Sequence, residues 1–420
     1  MAFCCWVPAG TANLRITAID TKPQLILLYH YFHPDDVISA RLYSDLAEEM
    51  SRRGWGVTAM PAIRSCHQDA EPLAKVETWK DVLIRRVYRP DFKQASNKGR
   101  ILNMLFMLWA WSWRAVVTSR SRQESVIIGT DPTLAILVAI PWRIFRPRST
   151  IIHWCHDVYP EAAVAEGMLG DTSWVTRILR WLLRRAYRRC DKIIDLGSCM
   201  RELLSRYGSK AQRYTVTPWS LVEPDSVSVV DAETRNDLFG EAKLGLLYSG
   251  NLGRAHQFEE FLLLARQLRQ DSIHFCFAGR GPRVSELEKM VEPSDTNISF
   301  GGFAPEEVLE KRLGACDFHL VSLRPEWTGA VVPSKFFGAI ASGRGVIFSG
   351  SETSAIAEWI RQYNLGWVLT RENMSEVAAD LRRIANRPEE LAAMRDRCFR
   401  VYREIFSREK QIEAMATAIQ

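Results

Sequence analysis

Three short stretches combine glycines with a fixed cation in a way suited to holding an anionic ligand. In Ser249-Gly-Asn-Leu-Gly-Arg-Ala-His256, an apolar run (Leu244 to Tyr248) ends in a glycine-rich turn. Gly250 and Gly253 would let backbone come close to a ligand, with Asn251 between them. A helix starting at Ala255 would offer free N–H groups and a positive dipole end to a phosphate. Arg254 adds a guanidinium able to fork onto phosphate oxygens. An ordinary strand-to-helix connection reads the same, so this turn alone decides nothing. The second stretch, Gly279-Arg-Gly-Pro282, has only two of the three glycines of a dinucleotide fingerprint, and no acidic residue is clearly placed about twenty positions on. It suits a base or ribose instead, through Arg280 and Gly281. The third is Trp327-Thr-Gly-Ala-Val-Val-Pro-Ser-Lys335-Phe-Phe-Gly-Ala-Ile-Ala-Ser-Gly343. Ser334 reads as a helix N-cap, and Lys335 sits in the first turn, where a cation opposes the helix dipole and a bound anion would relieve it. Three such turns at strand ends fit a nucleoside diphosphate.

The elements that would position them alternate regularly. Residues 24–29 read as a buried parallel strand, 30–38 as a loop, then a helix from about Ser39 and a strand over 55–60. Strands over 81–88, 125–129, 150–156, 191–196 and 213–217 follow, separated by helices. The second half alternates again, beginning with a strand over 244–249, a helix over 255–269 and a strand over 273–278. This is α/β architecture with two doubly wound domains facing across a cleft, and ligands belong at the C-terminal strand ends. The expected division is a leader over 1–22, an N-terminal domain over 23–220 and an irregular polar linker over 221–240. A C-terminal domain follows over 241–405, and a last helix over 406–420 packs back on the N-terminal one.

Two helices stand out. Residues 101–113 are strongly apolar but interrupted by Asn103, Ser112 and Arg114, short of a clean membrane span, and are expected to pack in the N-terminal core. Residues 173–189 form a basic amphipathic helix, with Val175, Ile178, Leu179, Leu182 and Ala186 on one face and Arg177, Arg180, Arg184 and Arg188 on another. With Trp174, Trp181, Arg143, Arg146 and Arg148 it suits an anionic membrane surface. It reads equally as a core-facing helix with a solvated arginine face.

The 420 residues are enough for two cores, and 47% hydrophobic with 25% charged residues is ordinary globular composition. A net charge of +6 over this length does not indicate nucleic-acid binding. The nine cysteines include no Cys-x-x-Cys pair, and no secretory signal pattern precedes Asp20. A reducing cytoplasm fits this usage. No Asp-x-Asp is present.

Taken in order, His156-Asp-Val-Tyr-Pro-Glu161, the 249–256 turn, Ala278-Gly-Arg-Gly-Pro282 and Val332-Pro-Ser-Lys335 with Ala341-Ser-Gly-Arg344 resemble a bacterial GT-B glycosyltransferase, similar to the GT4-like group that builds exopolysaccharide, capsule and O-antigen. The resemblance spans about Leu25 to Phe406. It implies retaining transfer from a nucleotide sugar, held by the C-terminal domain, to an acceptor, a lipid-linked saccharide, held by the N-terminal one. The site would lie at the inner face of the plasma membrane, with neither cofactor nor metal. Gly250, Asn251, Gly253 and Arg254 would face the diphosphate, Arg280 and Gly281 the nucleoside, and Ser334 and Lys335 the phosphate or sugar. His156 matches the family's N-domain histidine near the reacting sugar; alternatively, it caps a strand and bonds Asp157. Asp36 and Ser39, with Asp35, occupy a first loop where the family more often has glycines. The family's paired glutamates are replaced by Ala330 and Gly338, leaving the ribose contact unassigned, while Glu326 is near enough in sequence to meet the donor sugar. A sugar-nucleotide 2-epimerase and a non-catalytic nucleotide-sugar-binding partner are the competing readings on the same scaffold.

Overall fold

A computed structural model describes residues 22–67, 71–92, 96–117 and 124–420. The expected leader lies outside these residues except for Lys22. Fourteen strands fall into two sheets. The first half contributes β1 (Gln24–Leu28), β2 (Gly56–Ala59), β3 (Val76–Trp79), β4 (Val82–Arg85), β5 (Ser125–Ile128), β6 (Thr150–Trp154), β7 (Lys192–Asp195) and β8 (Gln212–Thr215). Their order is β3-β4-β2-β1-β5-β6-β7-β8, and only the edge strand β3 runs antiparallel. The second half contributes β9 (Leu244–Asn251), β10 (Ile273–Arg280), β11 (Ile298–Gly301), β12 (Phe318–Ser322), β13 (Gly345–Ser349) and β14 (Gly366–Leu369). These form a parallel sheet ordered β11-β10-β9-β12-β13-β14. Each order reverses beside its first strand, at β1/β5 and β9/β12, which opens a crevice at the C-terminal edge.

The central strands are continuous apolar runs because helices cover both faces. Ile26 and Leu28 point to one core of the first sheet, Leu25 and Leu27 to the other. The helix Arg408–Ile419 closes that second core: Ile412, Met415 and Ile419 are buried with Leu42, Leu46 and Met50 of the helix Ile38–Arg52. The returning chain is pinned by Gln411, whose Oε1 accepts the Thr217 N–H at 2.8 Å.

Several expectations are corrected. The strand over 81–88 is half of a β3–β4 hairpin, turned through Lys80 and Asp81 at positive φ. The polar 221–240 stretch is not wholly irregular. Asp231 caps a helix over Ala232–Phe239, accepting the Thr234 N–H at 2.9 Å, and Leu238 and Phe239 bury against the second sheet. The helix after β9 starts at Glu259, not Ala255.

The apolar helix is longer than expected, Asn97–Val117, and only one of its faces enters the core. Asn103, Met107, Trp111 and Ala115 are buried, while Leu105, Trp109 and Trp113 face outward. On the helix Trp174–Tyr187 the inward residues are Thr176, Leu183, Ala186 and Tyr187, and Ile178 points out with Trp174 and Trp181. Arg146 is not a surface cation: it is buried against Glu124 at 2.7 Å. No helix among the described residues is long and apolar enough to cross a membrane.

Candidate active site

On the second sheet, the ends of β9 and β10 converge on Lys335. Gly250 (φ 115°) and Gly281 (φ 146°) occupy backbone regions that disfavour other residues. Both are also crowded, since a Cβ on Gly250 would lie 3.2 Å from Lys335 Cε and one on Gly281 2.5 Å from Leu252 O. Gly253 has no such φ, and its added Cβ would meet Asn251 Nδ2 at 3.1 Å. The Asn251 carbonyl accepts from Lys335 Nζ and from the Tyr248 hydroxyl, each at 3.1 Å. Lys335 Nζ also lies 5.1 Å from the Tyr248 ring centre.

His256 completes this group. Its Nδ1 is 2.7 Å from Ser322 O, which can only accept, so Nδ1 carries the proton and Nε2 is left to accept from Lys335 Nζ at 3.4 Å. Burial, and then the Lys335 charge, push the imidazole pKa down to about 3, so it stays neutral. Burial also pushes Lys335 down to about 8. The lysine is therefore half-desolvated, without a carboxylate partner, and aimed at a tight turn.

The other donor-side candidates are placed differently. Arg254 pairs with Glu166 of the first half across the domain boundary, so its charge is partly spent there. Arg280, at the end of β10, stacks over Phe303 at 4.1 Å. Ser334 leads into the helix Lys335–Ala341 but makes no side-chain cap, which corrects the N-cap reading; it lies in helical φ/ψ, where its hydroxyl does not reach back. Glu326 is exposed and 3.8 Å from Arg324.

On the first sheet, His156 follows β6. Its ring lies among Trp154 at 4.7 Å, Tyr43 at 6.0 Å and Tyr29 at 6.4 Å. Its Nε2 is buried with no hydrogen-bond partner, and burial lowers its pKa to about 3. The alternative role of bonding Asp157 is not what the geometry gives this nitrogen. Asp157 is raised to about 6 by burial and by the nearby Asp131 charge. Ser39 lies in the first turn of its helix, where its hydroxyl acts against the burial that raises the Tyr29 pKa. Glu161 has a structural role, gripped by Arg180 at 2.8 Å and by Tyr207 at 2.9 Å.

Asp36 lies apart from this wall. It sits 3.3 Å from Cys66 Sγ and 3.4 Å from His67 Nε2. These three side chains could share a metal ion, their ligand atoms lying within 4.8 Å of one another. Burial and the Asp35 charge raise the Cys66 thiol to about 11, so it is protonated at neutral pH.

Sequence reasoning missed a relay that ends at Asp131, whose charge acts on Asp157. Arg89 Nη1 donates to His30 Nε2 at 3.3 Å, and His30 Nδ1 donates to Asp131 at 2.9 Å. His30 lies in the first loop and Asp131 just after β5, so the available signal was position at a C-terminal strand end. The two halves meet here: Val158 N–H donates to Ala330 O at 2.8 Å, and Ala355 N–H to Cys199 Sγ at 3.4 Å. Ala330 thus contributes backbone where the resemblance implies a carboxylate. At Gly338, an added Cβ would meet Leu313 and Ser220 at 3.7 and 3.9 Å.

Comparison with known proteins agrees with the two-domain fold. Residues 39–219 match the family described as glycosyl transferase 4-like domain, and residues 243–387 match glycosyl transferases group 1. The chain belongs to these GT-B glycosyltransferases. It is 27% identical over 278 residues to a probable glycosyltransferase WbjE of Pseudomonas aeruginosa, covering 65% of this chain and 69% of that one. It is 25% identical over 276 residues to a putative colanic acid biosynthesis glycosyl transferase WcaI of Escherichia coli K12, covering 63% and 67%. Among solved structures, the sucrose-phosphate synthase of Thermosynechococcus elongatus superposes with a TM-score of 0.69 at 14% identity, covering 94% of this chain and 98% of that one. WaaG, a glycosyltransferase involved in lipopolysaccharide biosynthesis, superposes with a TM-score of 0.60 at 15% identity over the same shares. At these identities the structural matches speak for the fold.

Proposed function

We propose that the chain transfers a sugar, with retention, from a nucleotide-sugar donor to a lipid-linked saccharide during bacterial surface polysaccharide synthesis, at the cytoplasmic face of the membrane. The observation that carries this reading is the Lys335–Asn251–His256 group set against the Gly250 and Gly281 turns. The names of WbjE and WcaI support the polysaccharide setting.

In this reading the donor's diphosphate lies along the Gly250 turn, and its leaving oxygen takes the bonding electron pair as the anomeric C–O bond breaks. Lys335 meets the charge that develops, and this reading gives that step to the lysine without a metal. The acceptor hydroxyl enters on the same face of the sugar, and its proton passes to the departing phosphate. Asp157 and the unpartnered His156 Nε2 orient the sugar and the incoming hydroxyl.

The test is thermal stability with UDP-, GDP-, ADP- and dTDP-sugars. A ligand at a hundred times its Kd adds about 2.7 kcal/mol. One nucleotide family should raise Tm, and the rise should shrink in Lys335→Ala. No shift with any of them at millimolar concentration would refute donor binding.

A further inference from the structure

The helix Asn97–Val117 lies on the outside of the first domain with a face that nothing among the described residues covers. Trp109 is 65% exposed, Trp113 55%, and Ile101, Leu105, Phe106 and Val117 between 42% and 57%. Buried Met107, Trp111 and Ala115 hold the opposite face, with Trp111 Nε1 bonded to Met60 O at 2.9 Å. The outward residues are therefore fixed in place by a packed core and are not a loose end. The helix packs beside the helix Ala139–Phe145, which in turn packs beside Trp174–Tyr187. Those neighbours continue the apolar strip with Ile144 (61% exposed), Trp174 (73%) and Trp181 (51%). On a soluble monomer, contiguous apolar patches of more than a few hundred Å² mark interaction surfaces.

Charge indicates what covers it. The three helices, of 21, 7 and 14 residues, contain no Asp or Glu, although the chain has 49. They carry exposed Arg177, Arg184 and Arg185, the last stacked 3.8 Å over the Trp181 ring. A protein partner's surface normally mixes charge signs, whereas an anionic bilayer interface asks for tryptophans at the headgroup level, aliphatic residues below and arginines around them. We propose that this three-helix face seats the protein in an anionic bilayer, with Asn97–Val117 lying in the interface plane and not crossing it. This rests on the reading of a lipid-borne acceptor, but it is measured without turnover, so the two can fail separately.

The experiment is flotation of the full chain with phosphatidylcholine vesicles, with and without one third phosphatidylglycerol. The wild type should float with the anionic vesicles, less so in high salt. Trp109→Asp combined with Trp113→Asp should reduce the bound fraction at least tenfold, while Tm and the Tm rise with nucleotide sugar stay as in the wild type. Arg184→Ala with Arg185→Ala should reduce the preference for phosphatidylglycerol. Equal flotation of the double aspartate variant would overturn the assignment, as would a wild type that ignores vesicles. A wild-type dimer that the aspartates dissociate would overturn it too, assigning the face to a second copy. Loss of flotation with an intact nucleotide-sugar response supports the surface whatever the acceptor proves to be.

Discussion

Lys335 Nζ stands 3.1 Å from the Asn251 carbonyl and 3.4 Å from a neutral His256 nitrogen, with no carboxylate among its bonded partners. A lysine held by neutral acceptors in a half-buried site retains most of its charge for a ligand. Removing a charge-assisted hydrogen bond costs about 1.5–3 kcal/mol, so Lys335→Ala should weaken nucleotide-sugar binding roughly 10- to 200-fold. The pH dependence has a definite sign. Burial brings the lysine from 10.5 to about 8, so above pH 8 the free protein loses the proton that a diphosphate needs. Affinity should then fall by up to about tenfold per pH unit, while stability of the unliganded chain rises between pH 8 and 10.5, because there the unfolded state holds the extra proton. Calorimetry across pH 6 to about 9.5 checks this; a flat profile would remove Lys335 from the phosphate site.

His156 makes a different prediction because its Nε2 is buried without a partner. An unsatisfied buried nitrogen costs stability, about 1–3 kcal/mol. Replacing it by an apolar ring of similar size should therefore be neutral or stabilising, while removing a polar group that this aromatic wall offers a sugar. His156→Phe should keep or raise Tm and lower kcat about 100-fold, the scale of one lost transition-state hydrogen bond. A drop in Tm with activity unchanged would make His156 a packing residue.

The alternation of apolar runs and turns was readable because buried parallel strands have to be continuously apolar, as in Leu25–Leu28 and Leu244–Tyr248. The Gly250 turn was readable because positive φ leaves few residue choices. What escaped notice depends on distance through space. The Arg89–His30–Asp131 relay joins residues far apart in sequence, and no spacing rule links them. The pairing of Arg254 with Glu166 likewise spans both domains. The two ambiguous helices failed for another reason. Hydrophobicity does not tell which apolar face meets protein, so Trp111 and Trp109 read alike although one is buried and one exposed.

That pair can be tested directly. Trp111 fills the core and bonds Met60, so Trp111→Ala should cost about 3–5 kcal/mol. Trp109 stands in solvent, and Trp109→Ala should stay within about 0.5 kcal/mol. Denaturant unfolding of the two variants measures both, and similar losses would mean the helix is rotated from this placement.

The missing glutamates give a further check. Gly338 sits inside the helix Lys335–Ala341 at negative φ, and an added Cβ meets only ordinary contacts. Gly338→Ala should therefore stabilise the protein by about 0.5–1 kcal/mol, from helix propensity alone. If that position has no part in holding ribose, nucleotide-sugar affinity should not change. Ala330 differs, being buried with its carbonyl on Val158 N–H. Ala330→Glu would bury a carboxylate at the domain contact and should lower Tm by several degrees. A Gly338→Ala variant that loses donor affinity would place this helix turn in the ribose site after all.

Asp157 supplies the acid side of the pH profile. Burial first, then the charge of Asp131, raise its carboxyl from 3.8 to about 6. Between those values the folded state binds the extra proton, so this group makes the fold less stable as pH rises through the window. If ionised Asp157 orients the sugar or the incoming hydroxyl, kcat/KM should fall below about pH 6. Asp131→Asn removes the neighbouring charge and still offers His30 an oxygen to bond. The acid limb should then move to lower pH, with kcat at pH 8 little changed. A purely structural Asp157 would leave the limb where it was, since its titration would not reach the rate.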